Sequence, residues 1–339
     1  MSFPRQRFLD AMHFSRPDKI PVFYHPSPAG LYIHGQKLLD LFRQYPPDNP
    51  IQFASLPQPP ASAFDARGDY HELKIDDWGA TWEYLIFGIQ GHPKKYPIES
   101  WEAAQDYEFP PLSSFLEFDK ADVFNRRDVY LFISGWISIF ERLHALRPMD
   151  ELMIGLATED RHLMQFLDRL VDFWLDVIDA LIDTGIDVIF FGDDWGTQSS
   201  TLVSPAMFRD IFKPRYQRLI EPIRQANRKF FFHCCGYMGE ILDEIIDLGF
   251  HGLWPQLVLF EQDPSLFQKC EDARMTLFIH PDRQTLIPRG TPQLIESTIA
   301  RYAAKYHQLG GGGIFYIEIE NDAPFENVAA LIQSVFKYR

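Results

Sequence analysis

The sequence predicts a (β/α)8 barrel in a single domain that spans residues 1–339. From about residue 120 onward, short runs of β-branched and aromatic residues alternate with long amphipathic segments, which is the pattern of parallel βα units. About eight such strands in a chain of this length favour a closed barrel over an open sheet. An open doubly wound sheet would also carry a glycine-rich turn after its first strand, and the sequence has none there.

Each predicted strand is a short apolar run that ends at a polar or small residue. The predicted strands are Ile20–Tyr24, Ile51–Ser55, Val129–Ser134, Asp187–Gly192, Lys229–His233, Gly252–Pro255, Thr276–His280 and Gly313–Ile317. The helices predicted between and after them are Glu151–Thr184, interpreted as two helices, Pro205–Asn227, Met238–Leu248, Pro264–Cys270, Pro292–His307 and Glu326–Phe336. Ser204 and Thr291 each precede a proline, which is typical of a helix start.

Two further elements lie upstream of the regular alternation. The polar N-terminus has the pattern of a helix, and it has no apolar core of the kind that a signal peptide contains. The segment Ile75–Pro97 alternates in polarity and is interpreted as a β-hairpin inserted between barrel strands.

Composition argues against several classes of partner. The chain carries 32 Lys and Arg against 47 Asp and Glu, a formal net charge of −15. A nucleic-acid or anionic-membrane surface needs an excess of cations on one face, and no basic run is present. The longest apolar runs are far shorter than the roughly 20 residues of a membrane span. We therefore expect a cytoplasmic protein without nucleic-acid or membrane partners, and three cysteines do not suggest a disulfide framework.

The polar residues that end the predicted strands are the first candidates for a site, because barrel enzymes place their chemistry at the carboxyl ends of the strands. Each one alone could equally be a solvated loop residue or a cap. The residues at these ends are Tyr24, His25, Ser134, Asp193, Asp194, His233, Cys234, Cys235, His280, Asp282, Arg283, Glu318 and Glu320.

The group from His233 to Gly236 gives the sharpest signal. Strand alternation puts His233 and Cys235 on one side, where an imidazole and a thiolate could bind one ion such as zinc, and Gly236 would allow a tight turn. Glu320 or Glu318 is the better third ligand, because Cys270 falls in a predicted helix. The alternative is that Cys234 and Cys235 are ordinary buried small residues.

The other strand ends suggest acid–base chemistry and substrate binding. Asp193 and Asp194 would face the barrel mouth and act as catalytic groups together with His280, although one aspartate could instead cap the following turn. Asp282 and Arg283 would bind substrate, since Arg283 could grip a carboxylate or phosphate or could pair with nearby acids.

At these motifs the sequence resembles the uroporphyrinogen decarboxylase superfamily, and within it the zinc-dependent methyltransferases that act with methylated corrinoid proteins. The resemblance spans nearly the whole chain. It is carried by Phe190–Gly196, Val203–Pro205, Lys213–Tyr216, His233–Gly236, Gly312–Gly313 and Phe325–Val328, with further similarity at Asp77–Gly79 and Phe140–Leu143.

This resemblance implies a (β/α)8 barrel whose zinc is held by His233, Cys235 and, where the branch has a third cysteine, Glu320. It implies a small-molecule substrate and methylcobalamin carried by a separate corrinoid protein. Homodimers occur in the superfamily. The candidate substrate-binding residues are Tyr24, His25, Glu141, Arg142, Asp282 and Arg283. The arginine-rich segment and the aspartate by which true porphyrinogen decarboxylases resemble one another are missing after the first two strands.

Three functions follow as hypotheses. The first is a zinc-dependent methyltransferase that moves a methyl group to or from a thiol or a corrinoid protein. The second is a metal-free decarboxylase or lyase, in which Asp193 or Asp194 is the acid and His280 or Arg283 binds a carboxylate. The third is a barrel that binds a small molecule without turnover.

Overall fold

Seven parallel strands curl into one sheet in the computed structural model, which describes residues 3–51 and 55–339. The strands are β1 (Val22–His25), β5 (Ile133–Ile137), β6 (Val188–Gly192), β7 (Lys229–Cys234), β8 (Gly252–Pro255), β9 (Thr276–Ile279) and β10 (Gly313–Glu318). Their order is β1-β10-β9-β8-β7-β6-β5. The first strand pairs with the last, Val22 opposite Phe315, which is how a barrel closes.

Most predicted strands are confirmed to within two residues, and Gly252–Pro255 is matched at both ends. The predicted strand Val129–Ser134 is wrong in position, because the strand runs from Ile133 to Ile137. The backbone before it bonds elsewhere: the Val129 carbonyl accepts from Arg5, and Phe132 N–H donates to the Asp187 carboxylate. The predicted strand Ile51–Ser55 falls mainly on residues 52–54, which lie outside the described residues.

The predicted hairpin is part of a three-stranded antiparallel sheet. Its strands are β2 (Glu72–Ile75), β3 (Thr81–Tyr84) and β4 (His92–Lys95). The carboxylate of Asp76 forms the first turn by accepting from Trp78 and Ala80 N–H groups at 3.0 and 2.9 Å. The hairpin prediction is therefore corrected to three strands, of which the first begins before the predicted segment.

The helices cover the outside of the curled sheet and follow the predicted alternation. They are α1 (Pro4–Met12), α2 (Pro28–His34), α3 (Gln36–Gln44), α4 (Lys120–Arg126), α5 (Phe140–Leu146), α6 (Met149–Ala157), α7 (Arg161–Thr184), α8 (Pro205–Met207), α9 (Lys213–Gln225), α10 (Leu242–Asp247), α11 (Leu257–Gln262), α12 (Pro264–Asp272), α13 (Leu286–Arg289), α14 (Pro292–Leu309) and α15 (Phe325–Tyr338). A π-helical turn at Phe208–Phe212 joins α8 to α9.

Two of the predicted helices differ in how closely the structure matches them. The segment Glu151–Thr184 divides into α6 and α7 as predicted, because the Asp160 carboxylate caps α7 by accepting from His162 and Leu163 N–H groups. The predicted helix Met238–Leu248 begins only at Leu242. Within residues 3–51 and 55–339, no helix is both long and apolar enough to cross a membrane.

The apolar core has two parts, and the candidate site residues lie outside both, at the carboxyl ends of the strands. The larger part fills the space between the sheet and its helices. The smaller part lies inside the barrel, where Phe8 and Met12 of α1 pack with Phe231, Phe278 and Ile314. The predicted N-terminal helix is thus confirmed, and its apolar face contributes to the packing of the barrel interior.

Candidate metal centre

Asp194, His233 and Cys235 come together at the carboxyl ends of β6 and β7. Their ligand atoms all lie within 4.8 Å of one another. His233 Nε2 is 3.4 Å from Asp194 Oδ1 and 3.4 Å from Cys235 Sγ. Ligands at usual zinc bond lengths in a tetrahedron stand about 3.4–3.6 Å apart. The two distances from His233 therefore match the spacing of zinc ligands, and the Asp194 carboxylate lies within 4.8 Å of Cys235 Sγ.

The histidine is oriented for metal binding by the opposite nitrogen of its ring. His233 Nδ1 lies 2.9 Å from the Trp254 carbonyl oxygen, so this nitrogen must carry the proton that is donated. The lone pair of Nε2 then faces Asp194 and Cys235. Burial lowers the pKa of His233, which favours the neutral ring that a metal requires.

The aspartate and the cysteine are fixed to each other through the backbone. The Cys235 N–H donates to Asp194 Oδ1 at 2.6 Å. Gly236 then turns the chain with φ of +78°, and a Cβ at this position would lie 2.1 Å from the Gly196 carbonyl oxygen. The predicted tight turn at Gly236 is confirmed, and only glycine fits it without movement of the neighbouring chain.

The expectation that both aspartates face the barrel mouth is wrong for Asp193. This residue is fully buried, and its carboxylate accepts from Ile139 N–H at 2.8 Å, Glu141 N–H at 2.7 Å and the Tyr216 hydroxyl. It thus caps the start of α5, which precedes β6 in the chain, and not the turn after β6 that the sequence offered as the alternative. Burial raises the pKa of Asp193 to about 7.

Glu320 is not part of the candidate metal-ligand group formed by Asp194, His233 and Cys235. It is paired with Arg283, whose Nη1 lies 2.8 Å from Glu320 Oε1. Glu318 is 3.7 Å from the same guanidinium and 3.9 Å from His25 Nε2. Burial raises the pKa of Glu318 to about 7. Asp194, and not Glu320, therefore lies beside His233 and Cys235 as the candidate third ligand.

His280 and Asp282 follow β9, and both make local contacts. His280 Nδ1 accepts from Trp254 Nε1 at 3.2 Å, and burial lowers the pKa of His280 to about 3. The His280 ring is therefore neutral at ordinary pH. It is suited to holding the Trp254 indole in place and not to acting as a general acid. The Asp282 carboxylate caps α13 by accepting from the Gln284 and Leu286 N–H groups at 2.8 and 3.3 Å.

The remaining predicted substrate-binding residues lie in different parts of the structure. Tyr24 is buried against the outer helices, and its hydroxyl donates to the Tyr45 carbonyl at 2.7 Å. The guanidinium of Arg142 lies 4.2 Å over the Trp78 ring, next to the three-stranded sheet. Glu141 stays near the metal-ligand group, where burial first and then the charge of Asp194 raise its pKa to about 8.

Two cavities open at this end of the barrel, and Trp254 lines both. The polar cavity has a volume of about 290 Å³ and is lined by the three candidate metal ligands, together with Arg283, Gln256 and Gln284. The aromatic cavity has a volume of about 500 Å³ and is lined mainly by rings, including His25 and Trp136. Volumes of this size suit small molecules.

The sequence interpretation missed the tryptophans and Gln256. Gln256 directly follows the strand Gly252–Pro255, so the rule that selected the other strand ends would have selected it as well. Trp136 was missed because the predicted strand ended at Ser134, three residues before the end of β5 at Ile137.

A family model described as Uroporphyrinogen decarboxylase (URO-D) matches residues 143–338. The chain belongs to this family. Among curated proteins, this URO-D family member is 27% identical over 180 residues to two proteins named "Methylcobamide:CoM methyltransferase MtaA", one from Methanosarcina barkeri and one from its strain Fusaro / DSM 804. Each match covers 51% of this chain and 48% of the relative, so the chain spans about half the length of the curated relatives it matches.

A solved structure supports the fold along the full length of the chain. The structure titled "methyltransferase from Methanosarcina mazei" superposes with a TM-score of 0.63 at 20% identity, covering 100% of this chain and 99% of that chain. The predicted fold class, a barrel of alternating strands and helices, is confirmed.

Proposed function

We propose that this URO-D family protein is a zinc-dependent methyltransferase that methylates a small thiol. The observation that carries the proposal is the group of Asp194, His233 and Cys235, whose ligand atoms lie within 4.8 Å of one another and 3.4 Å apart in both pairs that include His233. Three protein ligands leave one tetrahedral position for a substrate, which is the arrangement of catalytic zinc sites. Zinc, when bound, lowers the pKa of a coordinated thiol and so favours the thiolate nucleophile.

The surrounding residues have separable roles in this proposal. His233 is held in the ligand tautomer by the Trp254 carbonyl, and Asp193 fixes the end of β6 so that Asp194 can reach the ion. Arg283 is 42% exposed and lines the polar cavity, where it can bind the anionic tail of a thiol in exchange for Glu320.

The names of the curated relatives suggest the methyl source. They are methylcobamide:CoM methyltransferases, so we propose a methylated corrinoid on a separate protein as a donor and a thiol such as coenzyme M as the acceptor. A shared ancestry over half of each chain supports this class of reaction, and the ligand geometry supports the zinc part of it.

The test is a methyl-transfer assay with zinc-loaded protein, methylcobalamin and either coenzyme M or 2-mercaptoethanol. We expect methylcobalamin to be demethylated, which is monitored through its absorbance. We also expect the methyl thioether product, which is detected by mass spectrometry. Cys235→Ala should abolish transfer, whereas Phe124→Ala, a change at a residue that is 69% exposed, should not.

The outcome that contradicts this function is equal activity of wild type and Cys235→Ala. Arg283→Ala should raise KM for the anionic thiol coenzyme M and leave KM for the uncharged 2-mercaptoethanol unchanged. If chelators leave the turnover of a carboxylated substrate intact, the lyase hypothesis replaces this one.

A further inference from the structure

We propose that the aromatic cavity binds the methylated ammonium group of a small organic cation, which serves as a second class of methyl donor. The proposal rests on the proposed thiol methylation and adds a substrate that reaches the thiol directly. Its support comes from the rings that surround the cavity, from the acidic residue at its wall and from its position beside the metal-ligand group.

Aromatic residues line much of the aromatic cavity. Trp136 and Phe190 stack with 5.7 Å between centroids and 6° between planes. On the opposite side, Tyr316 lies 4.1 Å from Trp254 and stacks on Phe23 at 5.7 Å. Barrel interiors are usually filled by side chains, so an interior space of about 500 Å³ between these rings is available for a ligand.

The residues at the wall favour a cation over an anion. Among the described residues that line the aromatic cavity, none is a lysine or an arginine, and Glu117 supplies a carboxyl group. Glu141 accepts from Trp136 Nε1 at 3.4 Å, but its raised pKa makes this carboxyl mostly neutral at pH 7, so it adds a hydrogen-bond acceptor and no full charge. Faces of tryptophan and tyrosine attract quaternary ammonium groups through their quadrupoles. An anionic substrate would find no described cation among these lining residues.

The aromatic cavity lies directly beside the metal-ligand group. The His233 ring is 4.0 Å from Trp254 and 5.3 Å from Trp136, so the same indoles that line the cavity pack on a metal-ligating residue. A methyl group held against these indoles would lie next to a thiol in the polar cavity.

The transfer is balanced without a further reactant. The thiolate sulfur attacks the methyl carbon and forms the S–C bond, while the C–N bond breaks and its electron pair stays on nitrogen. The products are a methyl thioether and a neutral tertiary amine, and the thiol proton leaves to solvent before the attack.

The first test is calorimetric binding to the full chain, with choline and its uncharged isostere 3,3-dimethyl-1-butanol as probes. We expect choline to bind at least about tenfold more tightly than the isostere, since cation–π attraction acts on the charged ligand alone. Trp136→Leu should remove this preference and Trp136→Phe should keep part of it, whereas Phe124→Ala should leave it unchanged. Equal affinities for the two probes, or no choline binding, would overturn the proposal.

The second test separates this proposal from the zinc-dependent function. Choline binding should persist in Cys235→Ala, which lacks a metal ligand but retains the cavity. Zinc-loaded wild type with a thiol and deuterated choline should yield the deuteromethyl thioether, and binding without label transfer overturns the donor role. Transfer from methylcobalamin without choline binding would leave the proposed function intact and overturn this inference alone.

Discussion

The polar and the aromatic cavities share one wall and differ in almost every other property. The polar cavity contains an imidazole, a thiol, carboxylates and a guanidinium, whereas the aromatic cavity is lined mainly by rings and apolar groups. Trp254 lines both cavities, with its carbonyl bonded to His233 and its indole bonded to His280. One residue therefore couples a metal-ligand group to an apolar binding space, and variants that damage one side alone can show what each contributes.

The largest effect is expected where the polar cavity is anchored. Asp193→Ala removes a buried acceptor from three donors, so we expect the free energy of unfolding to fall by about 3–5 kcal/mol. Urea denaturation of wild type and variant measures this. If Asp193 were an exposed catalytic acid, activity would be lost with stability unchanged.

Gly236→Ala tests the turn that presents Cys235 to the metal site. A Cβ at this position would meet the Gly196 carbonyl, and φ of +78° is unfavourable for alanine. We expect a loss of about 2–3 kcal/mol in the free energy of unfolding. As a matched control, Gly68→Ala also has positive φ but meets nothing within 4 Å, so it should cost less.

Glu318 lies between His25 and Arg283 and gives a pH-dependent test. Its pKa is raised from 4.5 to about 7 by burial, so the folded protein prefers the protonated carboxyl. A raised carboxyl pKa means that stability falls as pH rises from about 4.5 to about 7 and is constant above that.

The free energy of unfolding of Glu318→Gln, relative to that of wild type, should therefore be up to about 2–3 kcal/mol higher at pH 8 than at pH 4. Denaturation curves at the two pH values measure the gain. An equal stability difference at both values would show that Glu318 ionises normally.

The smallest effect is expected at Trp254, which lines both cavities. Trp254→Phe keeps the ring and the backbone carbonyl that fixes His233 but removes the indole N–H bonded to His280. We expect a loss of about 1 kcal/mol in stability, with zinc binding retained. Loss of zinc would show that the indole itself, and not the backbone, holds the metal-ligand group in place.

The sequence predicted what depends on short-range pattern. The two-residue spacing of His233 and Cys235 on a strand, and the glycine after them, were sufficient to predict their common orientation and turn. Asp193 and Asp194 could not be distinguished, because their roles depend on the start of α5 and on Tyr216, which are far away in the sequence.

The contacts between residues that follow different strands could not be predicted from the sequence either. Glu320 and Arg283 follow different strands, and their ion pair depends on how two loops meet after β9 and β10. Trp136 depended on the register of β5, since a strand that ends at Ser134 does not include it. The fold itself was predictable because the alternation of apolar runs and amphipathic segments repeats along most of the chain.

The most direct test of the central claim is the zinc content of purified Asp194→Ala and Glu320→Ala beside wild type, measured by elemental analysis. The geometry predicts about one zinc per chain in wild type and in Glu320→Ala, and a marked loss in Asp194→Ala. Circular dichroism confirms that each variant is folded. Zinc retained in Asp194→Ala and lost in Glu320→Ala would contradict the assignment of the metal centre.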